Sequence, residues 1–266
     1  MNSLAIKALH NDLVLHAIQN KTLNASNLNF QTLRNFAGID SNKRDELDRG
    51  RLTIHRQDLL NQYLYSYGLM VQRQWDYVVP NIIDMLSDNN DEMIHLYDYG
   101  CGQGLATLLL LENTLGFQEQ VEKLTLIEPS QIALTRAEGL MTCKLPNISI
   151  RSFDKKLDDV EKDDLDIDVE KMNVHIFSNI LDIEGFDQFE LSNKILEQGG
   201  KHYIIAVSND RNCYGGTARL ESLYNALLSM KPQEGENLSI TYEQFKQFTD
   251  AKNMNHVYFC LKIEIH

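Results

Sequence analysis

Three glycines in five positions, Gly100, Gly102 and Gly104, lie within the stretch HLYDYGCGQGLATLLLLE, residues 95–112. Glycine is used where a backbone must turn sharply or approach a ligand closely, because it has no Cβ to fill the space. The apolar run before the loop is typical of a strand, and the run after it is typical of a helix. A bare loop in this position predicts a nucleotide-type pocket, with the amides at the start of the helix near the ligand.

Acidic and small polar residues stand near the ends of this strand and of those predicted after it. Asp98 precedes the first glycine by two positions, and Glu128 follows thirty residues later in TLIEPS. A carboxylate there suits an adenosine-type cofactor, because it can accept two hydrogen bonds from a ribose diol. Asp154 ends the motif SFD, and Ser178 and Asn179 belong to FSNILDIEGF. Ligands of an open parallel sheet bind beyond these strand ends, so we expect the five side chains to share one site.

The order of these motifs resembles that of class I S-adenosylmethionine (SAM)-dependent methyltransferases. The loop G-x-G-x-G follows an acid, TLIEPS ends the second strand, and ILEQGG precedes the fifth strand with Gly199 and Gly200. A further strand, NHVYFCLKIEIH, ends the sequence. The resemblance implies SAM as the cofactor and predicts that these residues bind it: Asp98, Gly100, Cys101, Gly102, Gly104, Glu128, Pro129, Phe153, Asp154, Ser178 and Asn179.

The resemblance also implies individual roles. Glu128 would bind the ribose hydroxyls, and Asp154 would accept a hydrogen bond from the adenine amino group, with Phe153 as an apolar wall. Ser178 and Asn179 would face the methionine portion of the cofactor. The resulting function is in-line methyl transfer from SAM to a small-molecule or protein acceptor, an activity of enzyme class EC 2.1.1.

Other interpretations of the same residues stay open. An NAD-dependent oxidoreductase would carry G-x-G-x-x-G, but its third glycine is replaced here by Leu105. The loop alone could be a structural turn, and Ser178 and Asn179 could cap a helix or form a turn. Asp154 could simply be solvated, since it opens the acidic segment 154–171. A catalytically silent, methyltransferase-like module of an assembly or regulatory complex is the alternative function.

The sequence indicates the residues that contact the methyl acceptor less clearly than those that bind the cofactor. If the acceptor loses a proton, a neighbouring side chain should take it, and we name His55, Tyr67 and Asp182 as candidates. Tyr67 also falls on an apolar helix stripe, where a core position is the simpler interpretation. The fourth strand ends in SNIL rather than DPPY or NPPY, which disfavours methylation of DNA base amino groups. Four cysteines without a C-x-x-C pair suggest neither a zinc site nor a disulfide framework, so we expect no metal.

The periodicity divides the chain into two regions. Residues 1–90 predict a helical N-terminal cap or lid, with an apolar stripe over 60–78 and Pro80 ending or kinking that helix. Residues 91–266 alternate short apolar runs with helical segments. Such alternation predicts an α/β fold with a doubly wound, mostly parallel, Rossmann-like sheet. His175 and His202 begin buried strands and are predicted to be structural.

Composition limits the partners. The 266 residues carry a net charge of −13, and residues 1–90 contribute none of it. This balance argues against DNA as a partner and disfavours RNA without excluding it, because binding a polyanion needs clustered Lys and Arg. No stretch approaches the length of an apolar membrane span, and the N-terminus does not have the pattern of a secretory signal. We therefore expect a soluble, cytoplasmic protein.

Overall fold

The structure is a computed structural model that describes residues 12–36, 41–50, 52–87, 92–210, 216–231 and 237–266. The predicted boundary between residues 90 and 91 and one of the four cysteines, Cys213, lie outside the described residues.

Helices and strands alternate after a first part whose described elements are all helical. The described helices are α1 (Leu13–Gln19), α2 (Phe30–Asn35), α3 (Gln57–Ser87), α4 (Leu105–Asn113), α5 (Phe117–Gln120), α6 (Gln131–Lys144), α7 (Lys162–Leu165), α8 (Gln188–Leu196) and α9 (Gly216–Leu228). The strands are β1 (Ile94–Tyr99), β2 (Val121–Ile127), β3 (Ser149–Phe153), β4 (Met172–Ser178), β5 (Gly200–Asn209), β6 (Leu238–Thr249) and β7 (Asn255–Ile265). Two 3₁₀ segments cover Ser41–Gly50 and Leu157–Asp159.

All seven strands form one sheet in the order β3-β2-β1-β4-β5-β7-β6. Strands β1 to β5 are parallel to one another, whereas β7 lies antiparallel between β5 and β6. Every residue of β1 is buried, as expected for a central strand covered on both faces. The predicted fold class, an α/β fold with a doubly wound, mostly parallel sheet, is confirmed.

The strand order reverses between β1 and β4. After β1 the chain builds outward through β2 and β3, and then returns to place β4 on the other side of β1. In open α/β sheets this reversal opens a crevice beyond the carboxyl ends of the strands. The fold therefore brings the ends of β1, β2 and β4 to one crevice.

The long helix α3 packs the N-terminal part against the sheet. Trp75 is fully buried and belongs to one hydrophobic cluster that also contains residues of β1, β2, β4 and β5. Pro80 lies inside this helix, which continues to Ser87. The side chain of Asn81 donates a hydrogen bond to the Tyr77 carbonyl at 2.7 Å, a contact that satisfies backbone near the proline. The division into a cap and a cofactor domain stays a prediction.

A network of buried hydrogen bonds also joins the N-terminal helices to the glycine loop. Arg136 of α6 is fully buried and donates to Asp12, which caps α1, at 2.8 Å. Its other nitrogens donate to Asn61 of α3 at 2.7 Å and to Gln103 at 2.9 Å. Gln103 lies between two loop glycines and donates in turn to the Leu60 carbonyl. One buried guanidinium thus fixes two helices and the loop relative to each other.

The acidic segment 154–171 is partly neutralised by neighbouring bases. Asp166 pairs with Lys123 and Arg151 across the edge of the sheet, and Asp164 pairs with Lys155 at 2.6 Å.

None of the helices in the described ranges combines the length and apolar character needed to cross a bilayer.

Candidate functional site

The glycine loop leaves β1 and opens α4. Gly100, Gly102 and Gly104 all adopt positive φ, at 63°, 54° and 78°, in the left-handed region that favours glycine. A Cβ on Gly102 would meet nothing within 4 Å, whereas one on Gly104 would lie 3.3 Å from the Ala137 side chain. Gly102 therefore faces open space, and Gly104 permits close packing of the loop on α6.

Asp98 is buried next to this loop. It is 1% exposed and accepts a hydrogen bond from the Thr107 hydroxyl of α4 at 2.7 Å. Burial raises the pKa of this carboxyl to about 7. Asp98 also lines a small cavity of about 40 Å³ together with Cys101, Gly102 and Asn179. A carboxyl in this state is suited to a cationic group, which would favour its ionised form.

Glu128 follows β2 and faces the glycine loop. Its two carboxylate oxygens accept backbone hydrogen bonds from Gly102 at 3.0 Å and from Ser130 at 2.9 Å. Burial raises the pKa of Glu128, while these two backbone hydrogen bonds oppose the rise. Each oxygen keeps a second acceptor site, so the carboxylate can still accept from a pair of hydroxyls.

A larger cavity of about 280 Å³ lies over these groups. Gly100, Gly102, Glu128, Pro129, Ser178 and Asn179 all line it. The opposite wall includes Leu52 and Ile54, which precede α3, and Tyr63 of α3. The Ser130 hydroxyl donates to the Ile54 carbonyl and ties this wall to the start of α6. Residues of the N-terminal part thus line this cavity.

The end of β4 is held by α3. The Trp75 indole donates to the Ser178 hydroxyl at 3.1 Å, and the Asn179 amide pairs with Gln74. Asn179 adopts a left-handed φ of 56°, which is uncommon for a residue other than glycine but accessible to asparagine. Ser178 and Asn179 line both cavities.

The remaining predicted residues do not line either cavity. Phe153 is half-buried between the cationic groups of Arg151 and Lys155, at 5.1 and 5.6 Å from its ring centre, and Asp154 is exposed. Their predicted adenine contacts stay predictions. Gly104 serves the packing of α4 against α6.

The three candidate proton acceptors do not line either cavity. His55 is exposed, and Tyr67 is 7% exposed within the hydrophobic cluster beside Tyr63. Asp182 accepts a hydrogen bond from Ser208 at 3.2 Å. Their role in catalysis stays a prediction.

No protein-family model and no curated protein matches this chain. Among solved structures, it is similar to an rRNA methylase from Streptococcus thermophilus, with 12% identity over 70% of this chain and 95% of that one and a TM-score of 0.40. It is also similar to the N-terminal domain of human METTL16 in complex with SAH, with 11% identity, 72% and 69% of the chains covered, and a TM-score of 0.43. A third similar structure is precorrin 8W decarboxylase from Methanobacterium thermoautotrophicum, with 14% identity, 69% and 89% covered, and a TM-score of 0.35. Identities and TM-scores this low leave the function to be argued from the site itself.

The polar side chains that support the site belong to no motif identified in the sequence. Gln74 and Gln103 are buried, and each forms side-chain hydrogen bonds that hold a residue or loop at the cavity. Gln74 is three residues after Val71 and four before Val78 on the apolar stripe. A polar residue at such a position is the signal that could have identified it, because a buried amide requires partners.

The donor set fits an adenosine-type cofactor and gives no sign of a metal. Within the described ranges, no group of three or more His, Cys, Asp or Glu side chains could hold a metal ion. An open glycine, a carboxylate with free acceptor capacity and a second buried carboxyl instead meet at the switch point of the sheet. These groups suit a ligand that carries a ribose and a cationic portion.

Proposed function

We propose that this protein is a SAM-dependent methyltransferase. The observation that carries the proposal is the pairing of Glu128 with Gly102 on one cavity at the carboxyl ends of β1 and β2. Glu128 offers acceptors to a ribose diol, and Gly102 leaves the space that a ligand needs beside it. When bound, SAM supplies a methyl group on a sulfonium, which an acceptor takes in a single in-line displacement.

The chain's own residues would bind and orient the cofactor. Glu128 binds the ribose hydroxyls, while Gly100 and Gly102 allow close approach of the backbone. Asp98, beside the smaller cavity, attracts the ammonium group. Ser178 and Asn179 contact the methionine portion from β4. These assignments follow from which groups line each cavity.

Transfer requires alignment and exclusion of water more than acid–base chemistry. The apolar part of the wall supports this, since Leu52, Ile54, Ile180 and Phe186 line the larger cavity. A general base is optional, and none of His55, Tyr67 and Asp182 lines the cavity. Binding of SAM without transfer would therefore favour the alternative of a catalytically silent module.

The acceptor class is open to experiment. A small molecule or a protein side chain was expected, with RNA less favoured because of the net charge of −13. That ranking is not confirmed, and an rRNA methylase is among the similar structures. We therefore place RNA beside the other two classes as a substrate to be tested with labelled methyl groups.

A variant of Glu128 tests the proposal. Glu128→Gln removes the charge but keeps the shape, and we expect SAM affinity to fall roughly 10- to 150-fold, corresponding to about 1.5–3 kcal/mol for hydrogen bonds to a charged group. Glu138→Gln on the exposed face of α6 is the control and should bind as the wild type does. Calorimetric titration measures both. Equal affinity of Glu128→Gln and wild type would show that the ribose is bound elsewhere.

A further inference from the structure

A buried pair of amides joins α3 to the end of β4. Gln74 is fully buried, and its Nε2 donates to Asn179 Oδ1 at 3.0 Å. Asn179 Nδ2 donates back to Gln74 Oε1 at 2.7 Å. Because each amide both donates and accepts, the two hydrogen bonds fix the orientation of both side chains.

A second set of groups fixes the Gln74 amide from the other side. Gln74 Nε2 lies 3.1 Å from His256 Nδ1, and His256 Nε2 lies 3.2 Å from an Asp250 carboxylate oxygen. The Asp250 carboxylate only accepts, which favours the neutral imidazole with its proton on Nε2, and Nδ1 is then an acceptor for the Gln74 amide nitrogen. A flipped Gln74 amide would place Oε1 against three acceptors: His256 Nδ1, Asn179 Oδ1 and, at 3.4 Å, Asn209 Oδ1. The histidine therefore selects one orientation of Gln74.

Asp250, the member of this hydrogen-bonded series farthest from Asn179, is held by several further contacts. Asp250 follows β6, and its other oxygen accepts the amides of Lys252 and Met254 at 2.8 and 3.0 Å. Arg73, next to Gln74 on α3, donates to the oxygen that faces His256. The helix and the β6–β7 turn are thus joined by an ion pair whose carboxylate is 3% exposed. Such a pair keeps the histidine in place.

The other end of this series lies at the candidate cofactor site. Asn179 lines both cavities and adopts a left-handed backbone conformation. Its backbone N–H donates to the Val207 carbonyl at 2.7 Å. Strained backbone of this kind persists only where the surroundings determine it, and it is concentrated at functional sites. The Gln74 side chain forms the two shorter hydrogen bonds of the Asn179 side chain, which also donates to the Ser178 hydroxyl at 3.4 Å.

We propose that Gln74 is a positioning residue of the cofactor site, which holds Asn179 for SAM and is itself oriented by His256 and Asp250. This inference rests on the proposed function. It gives α3 a role beyond covering the site, because the helix orders a residue on the opposite wall. It also gives the β6–β7 turn, more than 170 residues away in sequence, an indirect contact with the site.

The test is a double-mutant cycle on affinity for S-adenosylhomocysteine (SAH), measured by calorimetry. Gln74→Met keeps the length of the side chain and removes the amide, and we expect affinity to fall roughly tenfold, as for the loss of one or two hydrogen bonds. Asn179→Gly removes the side chain and still allows the left-handed backbone. If Gln74 acts through Asn179, then Gln74→Met has no further effect in the Asn179→Gly background.

A matched control separates positioning from packing. Gln62 is a second buried glutamine on α3, donates to Ser66 at 2.6 Å and lines neither cavity. Gln62→Met should leave SAH affinity unchanged. If Gln74→Met does not fold, Gln74→Asn replaces it in the cycle, since it keeps an amide that is too short to reach both partners.

The outcomes distinguish the two proposals. A tenfold loss that disappears in the Asn179→Gly background supports the inference. Wild-type affinity in the Gln74 variant, or a loss that simply adds to that of Asn179→Gly, overturns the inference and leaves the proposed function intact. A wild-type protein that binds neither SAM nor SAH overturns both.

Discussion

Two residues at the glycine loop would each contribute differently to ligand binding. Gly102 supplies open space, and Asp98 supplies a carboxyl whose pKa burial raises to about 7. Spacing along the sequence predicted both residues. It could not predict the protonation state of Asp98, because this depends on burial by elements distant in sequence and on the Thr107 hydroxyl.

At Gly102, we predict that an added side chain blocks the ligand and leaves the fold intact. Gly102→Asn suits the left-handed backbone and fills the open space, so calorimetry should detect no SAH binding. Gly116→Asn is the matched control, since Gly116 also has a positive φ and open space but lies at the start of α5, away from both cavities. Retained binding in Gly102→Asn would place the ligand elsewhere.

At Asp98, we predict that SAH affinity depends on pH. The ionised carboxyl attracts the ligand's ammonium group, so affinity should rise roughly tenfold from pH 6 to pH 8 as the carboxyl loses its proton. Titrations at several pH values measure this. 5′-Methylthioadenosine lacks the amino-acid portion and should bind with little pH dependence, and Asp98→Asn should abolish the dependence for SAH. An unchanged slope in Asp98→Asn would contradict the assignment.

Three buried rings, one each on β1, β4 and β5, form a hydrogen-bonded series across the central strands. The Tyr99 hydroxyl lies 3.0 Å from His175 Nδ1, and His175 Nε2 lies 3.1 Å from His202 Nδ1. His202 Nε2 must donate to the Gly199 carbonyl at 2.9 Å, which fixes the proton positions along the series. Burial lowers the pKa of His175 and lowers that of His202 to about 4.

The prediction at the scale of these strands concerns stability. The folded-state pKa of His202 lies below the unfolded value of about 6.5, so protons favour the unfolded chain and stability falls as pH drops from 6.5 towards 4. The contribution of His202 is on the order of 3 kcal/mol. Urea unfolding at several pH values should show a shallower loss for His202→Gln than for the wild type.

The exposed His266 provides the control for this prediction. His266→Gln should lose stability with falling pH as the wild type does. Asp98 has a raised pKa and acts with the opposite sign, but it does so equally in all three proteins. Identical pH profiles for His202→Gln and the wild type would contradict the burial argument.

Some elements were predicted well and others were not, for physical reasons. The runs that became β1 and β4 are rich in apolar residues and are buried almost throughout, because both faces of a central strand are covered. The edge strand β6 spans Leu238–Thr249, but apolar and polar residues alternate regularly only from Leu238 to Glu243. The second half lacks this period, and the pairing with β7 along the whole strand decides its extent.

The whole molecule is tied together through contacts that no local pattern encodes. The positions of Gly102, Asp98 and Glu128 at the cavities could be predicted because each stands near a strand end with a characteristic spacing. The partners of Asn179 could not, because Gln74 precedes it by 105 residues and His256 lies 182 residues after Gln74. Only the packing of α3 across the sheet brings them together.

We predict that the N-terminal helices and the sheet unfold as one unit. Trp75 is the one tryptophan of the chain, is fully buried in α3, and donates to Ser178 of β4. Its fluorescence reports the docking of α3, whereas far-ultraviolet circular dichroism reports all helices and strands. The two urea transitions should coincide. An earlier fluorescence transition would show that the cap detaches while the sheet stays folded.

The central claim is that the cavity over Glu128 and Gly102 binds SAM, and calorimetric titration of the wild-type protein tests it most directly. SAM, SAH and NAD are titrated in parallel under one buffer condition. The proposal predicts saturable binding of SAM and SAH with one site per chain and no binding of NAD. Binding of NAD in preference to SAM, or no heat with any of the three, would contradict it.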